Sequence, residues 1–249
     1  MNIGGNTILI TGGGAGIGRG LAEALHAEGN KIIIAGRREN VLRETAAANP
    51  GINFAVLDVE DAGAIRSFAA QAVKDYPALN MLINNAGIMR SESLTADPVL
   101  LDDAEAMIAT NLLGPIRLTA ALLPHLQRQA EATIINVTSG LAFVPLALTP
   151  TYSATKAAMH SYSQSLRHQL RKTSVRVIEL PPPAVATDLM PSSRSNPNAM
   201  SLEDYIRESM ALLTANLSAE EICVERVRRL RDAEAKGTYT QVFGQLNPA

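Results

Sequence analysis

The sequence predicts an α/β fold built on a parallel sheet with helices on both faces, and three observations carry that expectation. Short apolar, β-branched runs alternate with stretches of helical periodicity along the chain. Several runs, such as Ile32-Ile33-Ile34 and Ile134-Ile135-Asn136-Val137, are almost continuously apolar, as strands buried on both faces require. Directly after the first run comes a glycine-rich turn and then a helix-prone segment, the local design of an anion site in such sheets.

Taken in order, the pattern predicts strands at Thr7–Thr11, Lys31–Ala35, Ile52–Leu57, Met81–Ile83, Thr133–Val137 and Val175–Leu180. Helices are predicted near residues 16–28, 39–48, 61–75, 99–127 and 152–172, with Asp61 as an N-cap. Ser218-Ala219-Glu220-Glu221 has the form of a capping box opening a later helix that Gly237 would stop, and a last strand is expected near Thr238–Phe243. No linker or repeat divides the chain, so residues 1–249 read as one domain. Within it, residues 188–214 read as a substrate lid, because Pro191-Ser192-Ser193-Arg194-Ser195-Asn196-Pro197-Asn198 is a breaker-rich stretch leaving the sixth strand's carboxyl end. A surface loop is the plainer alternative.

Composition excludes some classes of function. With 47% hydrophobic and 18% charged residues and a formal net charge of −2, neither nucleic acid nor an anionic membrane is implied as a partner. The lone Cys223 excludes an internal disulfide framework and a cysteine zinc cluster, which fits a reducing cytoplasm. The opening Met1-Asn2-Ile3-Gly4-Gly5-Asn6 has no basic segment or long apolar stretch, and no later run is expected to span a bilayer. His26, His125, His160 and His168 show no zinc spacing, so no metal is expected, and His160 and His168 read as solvent-facing or interface residues.

The glycine turn is Thr11-Gly12-Gly13-Gly14-Ala15-Gly16-Ile17-Gly18. Glycines let the backbone turn sharply and approach a pyrophosphate, while unpaired N–H groups and the helix dipole face its charge. Gly12, Gly14, Gly16, Ile17 and Gly18 are therefore candidate cofactor contacts, although the spacing is not G-x-G-x-x-G and no NTPase-type lysine follows. At the second strand's end, where NAD-binding folds place a carboxylate, stand Gly36-Arg37-Arg38. Arg37 and Arg38 could pair a 2′-phosphate, which favours NADP(H) over NAD(H); the alternative is that both are solvated residues opening a helix. Asp58 could accept a hydrogen bond from an adenine amino group or be a turn residue, and Asn84-Asn85-Ala86-Gly87 could bring backbone close to a ribose.

Tyr152 and Lys156 are four residues apart on a predicted helix, hence on one face about one turn apart. A tyrosine with a pKa of about 10 must be lowered by about 3 units to exchange protons near neutrality. A nearby ammonium and the positive ring of an oxidised nicotinamide would do this. Ser139, just beyond the fifth strand, could hold a substrate oxygen for Tyr152 or simply form a turn beside Gly140. Asn111, a poor helix former inside a helical stretch, could cap a kink or hold a water in a proton relay.

This ordered set resembles the short-chain dehydrogenase/reductase family. The glycine turn, Asp58-Val59, Asn84-Asn85-Ala86-Gly87, Asn111, Ser139, and Tyr152 with Lys156 match in family order over residues 5 to about 190. The resemblance implies a doubly wound Rossmann fold with a seven-stranded parallel sheet and a catalytic tetrad of Asn111, Ser139, Tyr152 and Lys156. It further implies that Lys156 binds the nicotinamide ribose, that Val59, Asn85, Ala86 and Gly87 join the cofactor contacts, and that Val185 and Thr187 hold the carboxamide. A homodimer or homotetramer is implied as well. Two departures stand out. Pro183 replaces the glycine usual after the sixth strand, and Ala15 stands where many NADP-preferring relatives carry a basic residue. The run Pro183-Ala184-Val185-Ala186-Thr187-Asp188 is similar to the family's DltE-type subgroup.

The apolar segment Leu141–Leu148, joined by Met89, Met190 and Met210, predicts a pocket for a small hydrophobic carbonyl or alcohol. The same side chains could instead pack against a lid or a second subunit. A Ser-His-Asp hydrolase is disfavoured because Ser139 lacks the G-x-S-x-G turn. A non-catalytic NADP(H)-binding regulator on the same scaffold is the alternative of a different class.

Overall fold

A computed structural model of the chain describes residues 3–190, 196–216 and 218–248. The six apolar runs all form strands, β1 (Thr7–Thr11), β2 (Lys31–Gly36), β3 (Asn53–Val56), β4 (Leu79–Asn84), β5 (Ala132–Val137) and β6 (Val175–Leu180). They pair in parallel in the order β3-β2-β1-β4-β5-β6. That order reverses direction between β1 and β4, so a crevice opens beyond their carboxyl ends.

Side-chain alternation splits the core into two layers. On one face Ile8, Ile10, Ile32 and Ile34 pack with Leu21 and Leu25 of α1 (Gly16–Ala27) and Tyr205 and Leu213 of α7 (Leu202–Ala215). On the other, Leu9, Ile33 and Leu82 meet Ile65 of α3 (Ala62–Asp75), Leu118 and Leu122 of α5 (Gly114–Leu126) and Leu166 of α6 (Pro150–Leu170). Two shorter helices, α2 (Glu39–Ala48) and α4 (Asp102–Ile108), complete this part of the chain. Asp61 caps α3 as expected, accepting from the backbone N–H groups of Gly63 and Ala64 at 2.6 and 3.0 Å.

Three expectations are corrected. The sheet has six strands among the described residues, and Thr238–Phe243 is not a seventh. That segment lies largely in helix α9 (Tyr239–Leu246), where a four-residue step stacks Tyr239 on Phe243 and another carries Val242 and Leu246 to one apolar cluster. This helical packing overrides the β-forming character of the local residues. The free edge of β6 instead takes a single bridge, with Glu179 bonding through its backbone to Glu220 and Ile222 at 2.9 and 2.8 Å. Because Glu220–Ile222 is extended to make that bridge, the capping box does not open a helix; α8 starts later, at Glu225–Arg231. Thirdly, the continuous helical stretch Asp102–Leu126 is long and apolar enough, by length and composition, to cross a membrane. Its α5 portion here buries Leu118, Leu122 and Leu126 against the sheet.

Candidate functional site

The glycine turn closes on the crevice as its sequence requires. Gly12 and Gly16 have φ of +66° and +52°, a region costly for side-chain-bearing residues. A Cβ on Gly18 would lie 2.3 Å from Asn85 Nδ2 and 2.4 Å from the Gly12 carbonyl oxygen. Asn85 in turn donates to the carbonyls of Thr11 and Gly12, and the Thr11 hydroxyl accepts from the backbone of Asn85 and Ala86 at 3.0 and 3.1 Å. The end of β4 is thereby tied to the turn. Helix α1 opens without a side-chain cap and without an acidic residue in its first turn, leaving its N–H groups and dipole facing the crevice. A pyrophosphate-bearing cofactor fits such a cradle.

Beyond the turn lies a cleft of about 770 Å³. Gly12, Gly16, Ile17 and Arg38 line one end, and Asn85, Ala86 and Gly87 stand beside them. Val137, Ser139, Tyr152, Lys156 and Val185 line the other, and Thr187 lies against Gly16 at the turn. Of the remaining predicted contacts, Gly14 and Gly18 act from behind the wall, Gly14 by letting α2 approach so closely that a Cβ would lie 3.2 Å from Leu42. Asp58 accepts from the Glu60 backbone N–H at 3.0 Å, the turn role, and Val59 is buried beneath Gly114. Neither is in the cleft wall. Arg37 is also outside it, bound to Glu60 at 2.9 Å, and Glu60 is held as well by Thr110 at 2.6 Å. The two arginines thus part, with Arg38 alone in the cleft.

Tyr152 and Lys156 lie on one face of α6, with the Lys156 ammonium 5.6 Å from the Tyr152 ring centre. Three consecutive residues at the end of β5 each hold one partner. The Val137 carbonyl accepts from Lys156 Nζ at 2.9 Å, Thr138 donates to Glu179 at 2.7 Å, and the Ser139 hydroxyl accepts from the Leu141 backbone N–H at 3.1 Å. Burial pushes the Tyr152 phenol up to about 12, against the Ser139 hydroxyl, which lowers it. Burial pulls the Lys156 ammonium down to about 8, against the Glu179 charge, which raises it. The protein alone therefore keeps the phenol protonated, the reverse of the lowering that base chemistry requires.

Asn111 sits in a π-helical turn, Ala109–Leu113, between α4 and α5. Its side-chain amide makes two 2.9 Å bonds with the backbone N–H and carbonyl of Ile88, and donates to Thr155 at 3.3 Å. A π-helical turn interrupts the α-helix there, and the side chain clamps the loop leaving β4 to the tyrosine helix. A residue the sequence did not flag serves the same helix. Glu92 accepts from the backbone N–H and hydroxyl of Thr151 at 2.9 and 2.7 Å, capping α6 from 59 residues away in sequence, where no local pattern marks it.

Part of the cleft wall is apolar. Leu141, Leu146, Leu148, Met89 and Met190 line it as expected, while Met210 packs into the core instead. Leu230 and Leu246 also line it, brought there by α8 and α9 from positions far from the glycine turn and Tyr152 in sequence, where no local pattern marks them. Phe143 and Val144 turn away, Val144 into the cluster with Val242. Leu189, Asn196 and Ala199 of the region predicted as a lid line the cleft, and Met200 bonds back to Ala184 and Ala186 at 2.8 and 2.9 Å. Pro191–Ser195, the breaker-rich heart of that region, lies outside the described residues. His160 is not a solvent-facing residue; it binds Glu179 through Nδ1 at 2.7 Å.

Known proteins agree with this arrangement. Residues 6–198 match the short chain dehydrogenase family profile. The chain is 44% identical to the uncharacterized oxidoreductase DltE of Bacillus subtilis (strain 168), with 99% of this chain and 98% of that protein covered. Its fold superposes with a TM-score of 0.82 on a short chain dehydrogenase from Burkholderia cenocepacia J2315 in complex with NADP, at 26% identity, with 97% of this chain and 99% of that one covered. It superposes at 0.74 on serine dehydrogenase from Escherichia coli, at 29% identity, with 86% and 94% covered. With sheet order, cleft and sequence similarity in accord, the chain belongs to the short-chain dehydrogenase family.

Proposed function

We propose that this protein is an NADP(H)-dependent oxidoreductase acting on a small, hydrophobic carbonyl or alcohol, with Tyr152 as general acid/base. The observation that carries the reading is that Ser139, Tyr152 and Lys156 share one cleft with the glycine turn and Arg38. When bound, the nicotinamide supplies or accepts the hydride at the substrate carbon. In the reductive direction Ser139 holds the carbonyl oxygen and Tyr152 gives it a proton, so hydride and proton together yield the alcohol. A phenol that burial keeps protonated suits that acid role. The Lys156 ammonium, fixed on the Val137 carbonyl, stabilises the phenolate left behind and would also bind the ribose hydroxyls of the cofactor. Apolar walls exclude water and favour a hydrophobic substrate.

Support for NADP(H) over NAD(H) comes from Arg38 in the cleft and from the NADP-bound Burkholderia relative. The same reading includes one domain over residues 1–249, a lid within residues 188–214 anchored by the core packing of Tyr205 and Leu213 on α7, a cytoplasmic setting and assembly as a homodimer or homotetramer. The test is NADPH oxidation against a carbonyl panel, wild type beside Tyr152→Phe. Turnover is expected in the wild type and a loss of about 10² to 10⁴-fold in the variant, with NADPH binding retained. Full activity in Tyr152→Phe would refute the assignment. Tight cofactor binding without turnover of any carbonyl in the wild type would favour a regulator.

A further inference from the structure

Behind the cleft lies a buried ionic cluster that the chemistry above does not use. Glu179, on β6, is fully buried, and both carboxylate oxygens are held, one by Thr138 at 2.7 Å and the other by His160 at 2.7 Å. Tyr152, Lys156 and His160 step by four along α6, so His160, which holds one oxygen of Glu179, lies one turn past Lys156 on the same stripe. Thr138 stands between Val137, which fixes the Lys156 ammonium, and Ser139, so the grip on Glu179 is built into the same three residues. A buried carboxylate needs a compensating positive charge nearby. The Arg231 guanidinium, on α8, is mostly committed to Glu221, which it grasps at 2.6 and 2.9 Å.

We propose that Glu179 is the buried counter-charge of Lys156, a positioning residue that Thr138 and His160 hold in place so that Lys156 remains an ammonium at neutral pH. The inference rests on Lys156 acting as an ammonium beside Tyr152. Burial alone pulls Lys156 downward, and the Glu179 charge opposes that pull. The other ionisable groups turned toward this cluster are Tyr152 and His160 on α6, Glu221 and Cys223 beside the β6 bridge, and Arg231 on α8. The acidic residues of α4, which also packs on α6, are exposed. His160, Glu179 and Glu221 bring ligand atoms within 4.8 Å of one another, but the Arg231 fork already neutralises Glu221.

The experiment follows the Lys156 side-chain carbon next to the ammonium by NMR across pH, in full-length protein, for wild type, Glu179→Gln and Glu179→Asp. Glu179→Gln keeps the shape and the Thr138 bond but removes the charge, and it is expected to lower the Lys156 midpoint by about one pH unit or more. Glu179→Asp keeps the charge and should return the midpoint most of the way; it also serves if the Gln variant does not fold. An unchanged midpoint in Glu179→Gln, or one in Glu179→Asp as low as in Gln, overturns the proposal. The alkaline limb of the pH–rate profile is measured in parallel. A midpoint that moves while that limb stays put leaves the counter-charge in place and removes the catalytic reading of Lys156 instead.

Discussion

Lys156 donates from Nζ to the Val137 carbonyl oxygen at 2.9 Å, which pins its ammonium at the end of β5, 5.6 Å from the Tyr152 ring centre. One hydrogen bond thus joins the helix that carries Tyr152 to the strand that leads into Ser139. The ammonium is held there against its own solvation, since burial draws its pKa from 10.5 down to about 8.

That cost is measurable as stability. Below about pH 8 the lysine is charged in both folded and unfolded chains, and its burial opposes folding. Between about 8 and 10.5 the folded chain has released its proton while the unfolded chain keeps it, so this group makes stability rise with pH across that window. Lys156→Met removes this titration, so the rise in stability that the group gives wild type between about pH 8 and 10.5 should vanish in the variant, while turnover is lost. Urea titrations at several pH values read this directly. A variant whose stability climbs across that window as steeply as wild type would contradict it.

The arginines should separate. Arg38 lines the cleft, whereas Arg37 is bound to Glu60. Arg38→Ala is expected to lower the preference for NADPH over NADH by about 10 to 100-fold, the worth of a charged hydrogen bond of about 1.5–3 kcal/mol. Arg37→Ala should change it by less than about threefold, in keeping with an exposed ion pair. Dissociation constants for both cofactors, measured by fluorescence titration, decide; equal losses in the two variants would mean that Arg37 leaves Glu60 to share the phosphate.

Gly18→Ala tests the packing of the glycine turn. Its new methyl group would meet Asn85 Nδ2 and the Gly12 carbonyl at 2.3 and 2.4 Å, and the second of these is backbone that cannot swing aside. A loss of about 1–3 kcal/mol of stability is expected, together with weaker cofactor binding. Thermal unfolding with and without NADPH should show a lower midpoint and a smaller ligand-induced rise.

Glu92 offers a control far from the chemistry in sequence. Glu92→Ala uncaps α6 at Thr151 and should cost about 1 kcal/mol. Because Tyr152 is the next residue, turnover is expected to fall even at temperatures where the variant is fully folded. Activity that simply follows the folded fraction would limit Glu92 to a stabilising role.

The amino-acid sequence by itself determined the six strands, most of the helices before β6, the glycine turn and the ordered Asn111, Ser139, Tyr152 and Lys156. Each is written in local spacing: two-face burial makes strands apolar throughout, and a four-residue step puts Tyr152 and Lys156 on one side of a helix. Only the tertiary structure decided what depends on residues far apart in the chain. It turned Thr238–Phe243 into helix because Val242 and Leu246 find an apolar cluster there, and it separated Arg37 from Arg38 by offering Glu60 to one of them. It also set Glu92 over α6 and Glu179 between Thr138 and His160, charges whose partners no short window of sequence contains. Electrostatic and packing energies depend on distances in space, and local periodicity records only those within a few residues.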